Sequence, residues 1–63
     1  MINIDFNNVQ EYTFKVSYED GFGPISHIAA NNLADAAFML LEGFDERIRE
    51  SIKNIAICEI KKL

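Results

Sequence analysis

Residues 11–30 read EYTFKVSYEDGFGPISHIAA. From Glu11 to Glu19 polar and apolar residues alternate without a break, placing Tyr12, Phe14, Val16 and Tyr18 on one face and Thr13, Lys15 and Ser17 on the other. A period of two is the mark of a half-buried strand. Asp20-Gly21-Phe22-Gly23-Pro24 then brings turn chemistry, with two glycines free to take positive φ and a proline that cannot continue a central ladder. The first strand is expected to stop there. Ile25–Ala30 returns as its antiparallel partner, with Ile25, His27 and Ala29 on one face and Ser26, Ile28 and Ala30 on the other.

Downstream, Asn31 or Asn32 can cap a helix, and Asp35 in its first turn favours the positive end of the helix dipole. Gly43 is its expected stop, with a break near residues 43–44 and a short helical turn through Asp45-Glu46-Arg47-Ile48-Arg49-Glu50. Asn54–Lys61, rich in β-branched residues, closes the chain as a strand. Upstream, Ile2, Ile4 and Phe6 also alternate before Asn7-Asn8, so residues 1–8 offer a short additional strand. The order β–β–α–β predicts one domain over residues 1–63. Its class is α+β, an antiparallel sheet of three strands, or four with the N-terminal one, under one main helix.

Sixty-three residues bury only about 60% of the surface their unfolded chain exposes, so help from self-association or a partner is expected. In the closing strand Ala56, Cys58 and Ile60 alternate with Ile55 and Ile57, so both faces read as apolar. One helix cannot cover both. Either the N-terminal segment wraps behind the sheet or two molecules bury Ile55 and Ile57 together, making a homodimer.

The formal charge of −4 is unevenly placed, −7 over residues 1–46 and +3 over residues 47–63. An acidic body of this kind argues against direct nucleic-acid binding, which relies on clustered Lys and Arg, and favours a basic partner. No apolar run approaches the roughly 18 residues that a membrane helix needs, and no basic-then-apolar leader opens the chain, so a cytoplasmic protein is expected.

Chemistry is thinly represented. Ser26 and His27 are neighbours in a strand and point to opposite faces, so they cannot act as nucleophile and base. Cys58 cannot form an internal disulfide, and burial in its Ile-rich strand would silence its thiol. One His, one Cys and dispersed carboxylates give no metal-ligand spacing, and Gly21-Phe22-Gly23-Pro24 is too short for a phosphate loop. Neither catalysis nor a metal or cofactor is expected. Phe22, between glycines at a turn tip, either folds back on the hairpin or stands out as a binding anchor.

On a helical wheel, Leu33, Ala36, Ala37, Leu40, Leu41 and Phe44 form one broad face, expected to meet the sheet. Asp35 and Glu42 lie opposite, flanked by Phe38 and Met39. Two large apolar side chains bracketing two carboxylates are either covered by the N-terminal segment or residues 45–53, or form an interface.

The strand ending Tyr18-Glu19-Asp20-Gly21, the helix Leu33–Phe44 with Asp35, Phe38 and Glu42, the following Asp45-Glu46 and the closing Ile60-Lys61-Lys62-Leu63 together resemble small acidic phage-encoded proteins that inhibit host enzymes. Among these the chain looks most like the phage uracil-DNA glycosylase inhibitors, dimeric proteins that mimic DNA. The resemblance implies a non-enzymatic inhibitor of a host DNA-processing protein, acting in the host cytoplasm. Phe38 and Met39 would line its apolar site, and Glu19, Asp20, Asp35, Glu42, Asp45 and Glu46 would stand in for phosphates. Anti-CRISPR inhibitors of nuclease complexes fit the same outline, and a small assembly protein that spends its apolar faces on oligomerisation is the alternative of a different class.

Overall fold

The computed structural model describes residues 4–63. Its elements are β1 (Gln10–Tyr18), β2 (Gly21–Ala30), α1 (Leu33–Glu42), α2 (Glu46–Ser51) and β3 (Ile52–Lys62). The three strands form one antiparallel sheet in the order β2-β1-β3. This is the α+β layer expected from the alternation in β1 and the helical spacing after Asn32. Of the N-terminal strand, Ile2 lies outside the described residues; residues 4–9 carry no strand and turn instead, with the Asn8 N–H donating to the Asp5 carbonyl at 3.0 Å.

Because β2 and β3 both run antiparallel to β1, they are parallel to each other, and the chain between them must cross over β1. This explains why β1 carries the core. Tyr12, Phe14 and Val16 are buried with Ala30 of β2 and with Ala36 and Leu40 of α1, while Tyr18, Ile28, Met39, Phe44, Ile52 and Ile55 pack around them. On the opposite face Thr13 is buried as well, its hydroxyl 3.0 Å from His27 Nδ1 across the hairpin.

The hairpin is tighter than its glycines suggest. Tyr18 pairs with Gly21, leaving a two-residue connection, Glu19-Asp20, and Gly21 takes φ +152°. The second strand therefore begins at Gly21 rather than Ile25. Pro24 is accommodated inside it because β2 is an edge strand and because the register slips between Lys15 and Ser17, so that Gly23 and Pro24 together pass Val16.

Two more irregularities reshape β3. Thr13 pairs with Glu59 but Phe14 with Ile57, leaving Cys58 as an extra residue; Ser17 pairs with Asn54 but Tyr18 with Ile52, leaving Lys53 as another. Each bulge resets the alternation by one. Ile52, Ile55, Ile57 and Ile60 consequently stand opposite Tyr18, Val16, Phe14 and Tyr12, all on the helix side of the sheet. The expectation of an Ile55/Ile57 face opposed to an Ile60 face is thus corrected, because strict alternation fails at the two bulges. Cys58 is exposed, which removes the expected burial of its thiol.

Candidate functional site

Asn32 is the cap of α1: its backbone is extended and its Oδ1 accepts from the Asp35 N–H at 2.9 Å, while its Nδ2 reaches back to Asp35 Oδ2 at 3.3 Å. Asn31 does something sequence pattern did not suggest. Its amide clamps the N-terminal segment, accepting from the Asp5 N–H at 2.7 Å and donating to the carbonyls of Asp5 and Asn8 at 2.7 and 3.1 Å. The helix ends at Glu42 and is capped by Gly43 with φ −72°, so the expected break is where the spacing put it, but the glycine is not left-handed. Asp45 restarts the chain as cap of α2, its Oδ1 accepting from the Ile48 N–H at 2.9 Å.

The face that α1 turns to the sheet differs from the wheel. Ala36 and Leu40 are buried, and Met39 and Phe44 pack against the core; Leu33 and Leu41 are exposed. Relative to the expected face, the helix is rolled toward Met39, because it packs chiefly on edge strand β2 and the small Ala36 permits close approach there. Met39 is thus half-buried against the core and offers a partner less surface than Phe38. Phe38 stays among the partner-binding candidates, 55% exposed, and gains Leu41, three residues on, as an exposed apolar neighbour. Glu42 is exposed on the same helix, whereas Asp35 is half-buried and partly engaged by Asn32.

Topology gathers most of the other candidates. β2 ends opposite Gln10, and β3 begins opposite Tyr18, so the crossover chain must return toward the β1–β2 turn. That carries Glu42, Asp45 and Glu46 to the end of the sheet where Glu19 and Asp20 sit. The Glu19 N–H donates to the Ser51 carbonyl at 3.1 Å, which ties the turn to the end of α2. Asp35, at the start of α1, belongs to the other end. Among the described residues none of these carboxylates forms a salt bridge; Glu11 instead lies 3.8 Å from His27 Nδ1, on the face of the sheet away from α1. Arg47, Arg49 and Lys53 enter the same end from α2 and β3, so the pole is acidic but mixed. The segregation of charge along the chain becomes complementarity across strands, with Lys61 opposite Glu11.

Phe22 stands out from the turn, 81% exposed, with the Lys15 ammonium 4.8 Å from its ring centroid. A cation on one face leaves the other face and the edge of the ring free. An open groove runs beside it between Ser17, Tyr18, Glu19, Lys53 and Asn54. Ser26 faces the core side with Phe14 and His27 the other side with Thr13, so the two are kept apart. Among the described residues no group of three or more His, Cys, Asp or Glu side chains is placed to hold a metal ion, and no helix is long and apolar enough to cross a membrane.

No family model, curated protein or solved structure matches this chain. The functional reading therefore rests on its own residues.

Proposed function

We propose that this protein is a non-catalytic, protein-binding inhibitor that engages a basic surface of a DNA-processing enzyme in the cytoplasm. The supporting observation is the outer face of α1, where Phe38 stands exposed one turn before Leu41 and Glu42. A small domain that leaves a large aromatic side chain in water on a helix gains by placing it in a partner. The carboxylates of Glu19, Asp20, Glu42, Asp45 and Glu46 supply the field that steers such a partner, because a surface built to hold phosphates also attracts carboxylates. Phe22 lies at this same end but on the face of the sheet away from α1, beside Lys15, and so stands apart from the contact made by Phe38.

Following the resemblance of its elements, the specific target proposed is uracil-DNA glycosylase, with a nuclease complex as the next choice. The test is an excision assay on uracil-containing DNA with purified protein titrated in. Inhibition that is lost with Phe38→Asp and with Glu42→Lys, both exposed and so compatible with the fold, supports the reading. Excision unaffected by a large molar excess of folded protein rejects the glycosylase as target, and retention of inhibition by both variants rejects this surface.

An assembly role is favoured by a different observation, the exposure of Ile57 and Ile60 on β3. It predicts self-association without any enzyme target.

A further inference from the structure

The isoleucines of β3 lie at 52, 55, 57 and 60, a pattern symmetric about Ala56. One bulge lies on each side of Ala56, with Lys53 the extra residue before it and Cys58 the extra residue after it. From Ile55 to Ile52 is three steps with one bulge, and from Ile57 to Ile60 is also three steps with one bulge. All four side chains stand on the helix side of the sheet. Yet Ile57 is 44% and Ile60 51% exposed, since α1 packs over β2 and leaves this side of the sheet open.

β3 is also an edge strand eleven residues long, with one side of its backbone unpaired among the described residues. The other edge, β2, is blunted by Pro24 and by its own irregularity. We propose that β3 pairs antiparallel with β3 of a second copy about a twofold axis at Ala56, joining two three-stranded sheets into one. This goes beyond the enzyme-binding reading and does not depend on it.

The register follows from charge and face. A twofold perpendicular to the sheet must set one residue opposite its own copy, or side chains would meet from opposite faces. Centred on Ala56, Ile52 meets Ile60 of the second copy, Ile55 meets Ile57, and Lys53 meets Glu59, each pair occurring twice. Each arm of the pairing carries one bulge on each strand, so Ile52 and Ile60 of the second copy lie the same number of residues from the axis. Centred on Ile57, Lys53 would oppose Lys61 and Ile55 would oppose Glu59. Centred on Cys58, Ile57 would oppose Glu59 and Ile55 would oppose Lys61. Centred on Ile60, Glu59 would meet Lys61, but only the end of the strand would pair. Lys61 and Lys62 lie beyond the span paired about Ala56 and stay in water.

Sedimentation equilibrium of the full chain from about 1 to 100 μM reads the association, and cysteine pairing reads the register. In a Cys58→Ser background, Ala56→Cys should oxidise to a covalent dimer, because facing residues of an antiparallel pair have Cα atoms about 4.5–5.5 Å apart, within disulfide reach. Ala29→Cys on β2 in the same background should not. Lys53→Glu should weaken the dimer roughly tenfold, since two attractive pairs become repulsive, and adding Glu59→Lys should restore it. Both positions are exposed, and circular dichroism verifies that the variants fold. A monomer throughout the concentration range, cross-linking through Ala29→Cys instead, or no recovery in the double variant would each overturn the proposal.

Discussion

Truncating Leu40 and Leu41 in turn tests the orientation of α1, because the helical wheel puts both in the core and the structure keeps only one there. Leu40 is 4% exposed and belongs to the cluster with Phe14, Val16 and Ala36; Leu41 is 36% exposed. Leu40→Ala removes three carbons' worth of buried surface, about 2.4 kcal/mol at roughly 0.8 kcal/mol per methylene-sized group, and leaves a cavity beneath a short helix. A total near 3 kcal/mol is expected. Leu41→Ala should cost less than about 1 kcal/mol, since much of its side chain already meets water. The contrast is easily read because a chain of this size has a total stability of about 3–9 kcal/mol, at roughly 0.05–0.15 kcal/mol per residue. In urea denaturation with a slope near 1 kcal/mol/M, Leu40→Ala moves the midpoint down by about 3 M or leaves the protein unfolded without denaturant. Leu41→Ala moves it by less than about 1 M. Equal losses from the two substitutions would refute the rolled orientation, and with it the exposure of Phe38 on which the proposed contact depends.

Asn31→Ala should release residues 5–8 while leaving the sheet intact, so the Asp5 and Asn8 amides would exchange with solvent faster and the core amides would not, as hydrogen exchange by NMR can show. Asn32→Ala and Asp45→Ala each remove a side-chain cap and should each cost about 1 kcal/mol in thermal or chemical denaturation. Gly21→Ala forces a side chain to φ +152° and should destabilise by about 1 kcal/mol or more despite open space around it. Gly23→Ala should act through the Tyr18 ring instead, since an added Cβ would fall 2.5 Å from its Cε2 atom, and a change in the Tyr18 ring resonances is the readout.

The alternation of Glu11–Glu19, the faces of Ile25–Ala30, the cap at Asn32 and the break after Glu42 depend on neighbours in the chain, and those elements are legible residue by residue. So is the separation of Ser26 from His27, which needs only the two-residue period of a strand. Glu19, Asp20 and Glu46 are likewise exposed where turn and helix chemistry put them. Other features are settled by pairing between distant residues. Whether Ile57 and Ile60 share a face depends on the bulge at Cys58, and that bulge exists only in relation to Thr13 and Phe14 on the neighbouring strand. Local composition cannot register it, because an isoleucine-rich strand reads the same with or without an extra residue. The roll of α1 is similar: the helix is apolar around most of its circumference, so its own spacing allows several buried faces. The strand it crosses selects Ala36, Met39 and Leu40 and turns Leu33, Phe38 and Leu41 to water. Asn31 shows the same division at a single residue, for its side chain is suited to cap a helix but finds its partners 23 and 26 positions away, where only the folded chain brings them.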